Sequence, residues 1–124
     1  MHAVIFEVMP KSDRVEEYFE IAESIRGDLE KIDGFISVER FNSMANEGKI
    51  LSLSFWETES AIEEWRNQTA HKNAQSKGYN EVFSSYRLRV TQVVRDYTMV
   101  DREEAPQTTP GRRRRSCSRC QTRS

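Results

Sequence analysis

FISVERFNSMANEGKILSLSFW, residues 35–56, decides the fold. Phe35 to Phe41 and Lys49 to Trp56 are two strand-like runs. The polar segment Asn42 to Gly48 separates them, and its Asn46, Glu47 and Gly48 suit a hairpin turn, so the two runs are expected to pair antiparallel. Upstream, Val15, Tyr18, Phe19, Ala22, Ile25, Leu29 and Ile32 recur at spacings of three and four. That is the period of a long amphipathic helix ending before Gly34, with Asp13 and Glu16 at the spacing of a capping box. Further upstream, residues 3–9 alternate, with Val4, Phe6 and Val8 on one face and Ala3, Ile5, Glu7 and Met9 on the other, until Pro10 ends a first strand. Downstream, Thr58 caps a second helix through Ala61, Ile62 and Trp65. Thr69 reads as a fresh cap for a short helix to Gly78, with a break over Asn67 to Thr69. Ser84 to Tyr97 alternates again as a long last strand.

The order β-α-β-β-α-β predicts an α+β, ferredoxin-like chain with a four-stranded antiparallel sheet and both helices on one face. One helix layer leaves the other sheet face bare. Whichever row of the first strand points outward is partly apolar, so burial against a second copy, as a homodimer, is the expected solution.

The chain has 124 residues, enough for one ordinary domain. Its net charge of −1 conceals a split, because the last 19 residues, from Pro106, hold six Arg and no Asp or Glu. Of 19 basic groups, 13 therefore face 20 acidic ones in residues 1–105, a net −7. We expect a folded domain over residues 1–100 and a disordered Arg-rich tail over 101–124. The run Arg112 to Arg115 invites a nucleic-acid reading, but the acidic body offers no basic face to extend it, so no specific nucleic-acid partner is expected. The two cysteines, Cys117 and Cys120, both lie in the tail, which removes a disulfide and a thiol nucleophile from the body. With His2 and His71 as its only histidines, the body has too few donors for a zinc site, and no metal is expected. No P-loop, G-x-G-x-x-G or G-x-S-x-G occurs. With no run of 18 or more apolar residues, and neither a basic leader nor a long enough apolar stretch within MHAVIFEVMPKSD, the protein is expected to be soluble, cytoplasmic and without a membrane partner.

What chemistry the body can carry concentrates between Ser54 and Tyr97. The pair Phe55-Trp56, the Ala-Ile-x-x-Trp-Arg helix of Ala61 to Arg66, the Ala-His-Lys-x-x-x-x-Lys segment of Ala70 to Lys77 and the strand Tyr86-Arg-Leu-Arg-Val90 resemble the antibiotic biosynthesis monooxygenase (ABM) family. With the first strand and long helix, the resemblance covers about residues 1–97. It implies a dimeric α/β barrel built from two ferredoxin-like protomers. It also implies a small monooxygenase that oxidises an aromatic or quinonoid molecule without metal or flavin. In the family's heme-degrading branch a helix tryptophan distorts the porphyrin, a downstream histidine ligates iron and a first-strand asparagine assists. Trp65 and His71 match the first two with four fewer residues between them, and Glu7 and Val8 stand where the asparagine is expected. Heme is therefore the alternative substrate or cofactor.

A cofactor-free oxygenation needs a water-excluding apolar pocket and polar groups that help deprotonate an electron-rich phenol. Trp56, Trp65, Phe83 and Tyr86 could supply its walls. His71, with an unperturbed pKa of about 6.5, is the natural proton acceptor, and Arg66, Arg87 or Asn73 could steady an oxyanion. His71 and Trp65 are the expected catalytic pair, and the helix break at Asn67 to Thr69 is what lets them converge. The competing reading makes both tryptophans core and the chain a noncatalytic dimeric ligand-binding module.

Overall fold

The protein was analysed as a computed structural model that describes residues 1–75 and 79–106, with the side chains of residues 69–80 outside the description. Two compact units result, Met1–Val93 and Val94–Ser124. The first contains β1 (His2–Pro10), α1 (Val15–Leu29), β2 (Phe35–Asn42), β3 (Ile50–Trp56), α2 (Glu59–Gln75), a 3₁₀ turn (Tyr79–Val82) and β4 (Phe83–Gln92). The four strands make one antiparallel sheet in the order β2-β3-β1-β4, the ferredoxin-like arrangement.

The β2–β3 hairpin forms as its sequence requires. Ser43 Oγ accepts from the backbone N–H groups of Ala45 and Asn46 at 3.2 and 3.0 Å. Lys49 N donates to Asn46 O at 3.1 Å, and Gly48 takes the positive φ of 86° that closes the turn.

Four expectations need correction. The capping box at Asp13 and Glu16 does not form: Arg14 is the N-cap residue and no side chain caps the helix. Because Arg14 O accepts the first helical bond, from Tyr18 N at 3.1 Å, Asp13 lies one residue outside the helix. At the other end α1 stops at Leu29, and the chain turns through Ile32 to Gly34, whose φ is 99°.

The break over Asn67 to Thr69 is also absent, for α2 runs unbroken from Glu59 to Gln75. Neither Gly nor Pro interrupts that stretch, and a Thr inside a helix costs only a few tenths of a kcal/mol, about 0.7 at most, too little to stop it. Its N-cap is as expected, with Ala61 N donating to Thr58 Oγ1 at 3.2 Å. Finally, β4 ends at Gln92 rather than Tyr97, because its partner β1 begins at His2, which pairs with Gln92.

In the second unit, residues 94–106 are tied locally: Thr98 N donates to Asp101 O and Asp101 N to Thr98 Oγ1, each at 2.7 Å, and Asp96 N donates to Glu104 at 2.9 Å. Of the tail expected over residues 101–124, residues 107–124, with Arg112 to Arg115 and both cysteines, lie outside the described residues.

Strand alternation sorts the sheet into two faces. Val4, Phe6 and Val8 of β1 face the helices, and Val4 and Val8 are fully buried there. The core they join is split. One cluster gathers Val4, Leu29, Ile32, Trp56, Ala61 and Ile62, and the other Val8, Tyr18, Ile50, Val82 and Phe83.

Candidate functional site

Between the two clusters lies a cavity of about 210 Å³. Its floor is the helix-facing side of the sheet: Val38 and Arg40 of β2, Ser52 and Ser54 of β3, Val4 and Phe6 of β1, and Phe83, Tyr86 and Leu88 of β4. Its roof is one side of α1, from Tyr18 through Ile21, Ala22, Ile25 and Arg26 to Leu29, and Trp65 of α2 closes one end. The volume falls below the roughly 300–1,000 Å³ of clefts that take drug-sized ligands, so the space suits a small ring compound. Its aromatic walls are interlocked. Phe6 stands 6.3 Å from Phe83 and 5.6 Å from Tyr86, and Tyr18 packs edge-on to Phe83 at 6.0 Å.

Three of the expected site residues, Trp65, Phe83 and Tyr86, line this cavity. Trp56 does not. It is wholly buried behind the wall, stacked on Trp65 with ring centroids 5.6 Å apart and an interplanar angle of 26°, edge-on to Phe35, and donating from Nε1 to Ser54 Oγ at 2.9 Å. Arg66 is exposed on the far side of its helix turn, paired with Glu63 at 2.6 Å. Arg87 points to the opposite face of the sheet, because it pairs in register with Glu7 while the helix-facing Phe6 and Val8 pair with Leu88 and Tyr86. There it borders a second, open and more polar hollow beside Glu7 and Lys49.

His71 and Asn73 belong to α2, and their side chains lie outside the described residues. On the unbroken helix the positions of Trp65 and His71 are about 240° apart around the axis, so the convergence that a break would have allowed has no backbone basis. The other histidine, His2, opens β1 with Nδ1 buried and without a hydrogen-bond partner.

Three polar groups at the cavity, Arg26, Arg40 and Tyr18, were not among the expected site residues. Arg40 lies mostly in the wall, its side chain 23% exposed, and Arg26 is the basic residue of the last turn of α1. Tyr18 is almost fully buried, and burial pushes its phenol above the usual 10.0, an effect that the nearby Arg40 charge partly opposes. The indole Nε1 of Trp65 is buried with no hydrogen-bond partner. Among the described residues no group of three or more His, Cys, Asp or Glu could hold a metal ion, and no helix is long and apolar enough to cross a membrane.

A four-stranded antiparallel sheet with helices over one face and a cavity between them defines the class as a small ferredoxin-like α+β domain. Residues 1–77 match the model of the antibiotic biosynthesis monooxygenase family, and the chain belongs to that family. It is similar to jasmonate monooxygenase ABM of Pyricularia oryzae, 46% identical over 93 residues, which are 75% of this chain and 43% of that protein. The chain thus spans less than half of that relative's length. It is also similar to the uncharacterized protein YqjZ of Bacillus subtilis, 34% identical over 94 residues, 76% of this chain and 80% of the other. Among solved structures it resembles the heme-degrader MhuD of Mycobacterium tuberculosis with two hemes in its active site, at a TM-score of 0.62 and 18% identity, covering 79% of this chain and 100% of the other. That likeness shows the fold.

Proposed function

We propose that this ABM-family chain is a monooxygenase that oxidises a small aromatic or quinonoid compound in the cavity between sheet and helices, without metal or flavin. The observation that carries the reading is the split core: two clusters that could have merged are kept apart by an aromatic-walled space. For an electron-rich phenol the chemistry balances with no added reductant. One oxygen atom of O₂ enters the ring carbon para to the hydroxyl, the phenolic O–H and that C–H are lost, and the second oxygen atom leaves as water, giving the quinone. Trp65, Phe83 and Tyr86 would hold the ring and exclude water.

The relative from Pyricularia oryzae supports a second substrate, a jasmonate. Hydroxylating an unactivated C–H takes one O₂, two protons and two electrons, so that reaction would need an external two-electron donor such as a reduced nicotinamide.

We also propose that the protein works as a homodimer, joined through the sheet face away from the helices. That face presents Ile5, Leu51, Leu53 and Phe55, all half-buried, around Glu7, which is bridged to Lys49 at 2.7 Å and Arg89 at 2.8 Å. A stable interface of this kind buries about 2,000 Å² in total.

The test is oxygen uptake with product mass measured for a panel of 1-naphthols with a free para carbon, without reductant, and for jasmonate with and without reduced nicotinamide. Incorporation of one ¹⁸O atom from labelled O₂ is the expected result. A shift of the Soret band on adding heme, followed by its cleavage with ascorbate, would establish the heme reading instead, and binding without turnover of any of these would leave the noncatalytic module.

A further inference from the structure

The sheet register lays one row of side chains straight across the cavity floor. Arg40 on β2 pairs with Ser52 on β3, Ser52 with Phe6 on β1, and Phe6 with Leu88 on β4. Four strands at a spacing of about 4.8 Å make this row about 14 Å long, with a guanidinium at one end and only carbon at the other. Arg26 of α1 stands at the same end as Arg40, since both reach one carboxylate oxygen of Glu23, at 3.8 and 3.9 Å.

Those two distances are ion-pair distances, too long for hydrogen bonds. Glu23 is itself 60% exposed, and one carboxylate shared by two guanidinium groups leaves a positive charge over. A guanidinium cannot shed its proton, and keeping it against an apolar wall is costly unless an anion takes its donors. Its planar fork matches the two oxygens of a carboxylate, whereas a phenolate would use one arm only.

We propose that the cavity selects a small hydrophobic carboxylic acid, with the carboxylate on the Arg40 guanidinium, Arg26 beside it, and the apolar body lying across Phe6 toward Leu88. This rests on the cavity being the binding site of the proposed reaction, and it names the class of its substrate. Arg40 and Arg26 fix the acid end, so the carbon presented to oxygen is one at the far, aromatic end of the floor, among Phe83, Tyr86 and Leu88. Tyr18 of α1 lines the same cavity as Arg40.

The experiment is a comparison of acid and ester. Binding of jasmonate and methyl jasmonate, and of 1-naphthylacetate and its methyl ester, is measured at pH 7 by titration calorimetry and by quenching of tryptophan fluorescence, with no turnover required. The acids are expected to bind about 10- to 100-fold more tightly than their esters, the range for a charge-assisted hydrogen-bonded pair. Arg40→Gln should reduce the ratio to near one, and Arg40→Lys should keep part of it. Raising the salt should weaken the acids and leave the esters unchanged. Esters that bind the unmodified protein as well as their acids would overturn the proposal, whatever the variants do. So would an acid preference that survives Arg40→Gln in a variant whose circular dichroism is unchanged. A clear acid preference with no oxygen uptake would sink the monooxygenase reading and leave the acid site standing, while turnover of neutral phenols without acid preference would do the reverse.

Discussion

The two stacked tryptophans should respond unequally to the same substitution. Trp56→Phe removes part of a ring from a site with no exposure, at a cost of about 1–2 kcal/mol when scaled from the 3–5 kcal/mol of full truncations. It also takes away the Nε1 donor that binds Ser54 at 2.9 Å, leaving a hydroxyl that is 95% buried without its partner. Such an orphan adds about 1–3 kcal/mol, for a total of about 2–5 kcal/mol. Trp65→Phe removes the same atoms from a half-buried ring, so the packing loss is smaller. The Nε1 it deletes is buried with no acceptor, and deleting it relieves a desolvation penalty of about 1–3 kcal/mol. The two effects nearly cancel, to within about 1 kcal/mol. For a unit of this size 1 kcal/mol moves Tm by about 4–8 °C, so Trp56→Phe should lower Tm by about 8 °C or more and Trp65→Phe by less than about 8 °C. Thermal unfolding followed by far-ultraviolet circular dichroism reads both without relying on tryptophan emission. Equal losses, or a larger loss for Trp65→Phe, would refute the assignment of Trp56 to the core and of Trp65 to a cavity wall with an unspent donor.

Gly34→Ala should lose about 2–4 kcal/mol in urea denaturation, because a φ of 99° strains any L side chain and the new Cβ would stand 3.0 Å from the Cβ of Ala61; Gly27→Ala, inside α1 with no atom within 4 Å of the new Cβ, should gain up to about 1 kcal/mol. The hydrogen bond from Lys49, seconded by Arg89, holds the Glu7 carboxyl below the usual 4.5. A lowered folded-state value means that this stabilisation is present above about pH 4.5 and lost as the pH falls through the folded value, so a Tm series from pH 6 to pH 3 should fall less steeply in Glu7→Gln than in the parent. Leu53→Arg, in the middle of the face opposite the helices, should shift sedimentation from dimer to monomer at micromolar concentration with unchanged helix content; a parent protein that sediments as a monomer would remove the dimer.

Most of the fold was legible because it rests on periodicity. The change from alternation in residues 3–9 to three-and-four spacing after Val15, the polar Asn42 to Gly48 turn and the Thr58 cap all reappear in the structure within a residue or two. The misreadings share a cause: they took a local signal as sufficient. Asp13 and Glu16 have capping-box spacing, but the Arg14 carbonyl fixes where the helix begins. Thr69 can cap a helix, yet a capping residue starts a helix only where the chain has already stopped one, and nothing between Glu59 and Gln75 does. The alternation past Gln92 had no strand to pair with.

The site was less legible because the search followed residue type, and aromatic and histidine positions drew attention away from where side chains point. The informative signal was in β3. In Ile50-Leu-Ser-Leu-Ser-Phe-Trp56 the leucines and Phe55 form one row and the serines the other, and ordinary burial would turn the leucine row toward the helices. The structure turns the serine row inward, because Ser52 pairs with Phe6 and Ser54 with Val4, both under the helices. Small polar residues beneath a helix layer leave space rather than fill it, and the half-buried row of Leu51, Leu53 and Phe55 lies on the far side. Arg40 belongs to the same pattern, since it shares the inward row of β2 with Val38 in register with those serines. Read together, the inverted strand β3 and the inward Arg40 account for both faces of the sheet, a cavity edged by a guanidinium on one and an apolar row on the other, the row on which the proposed dimer depends.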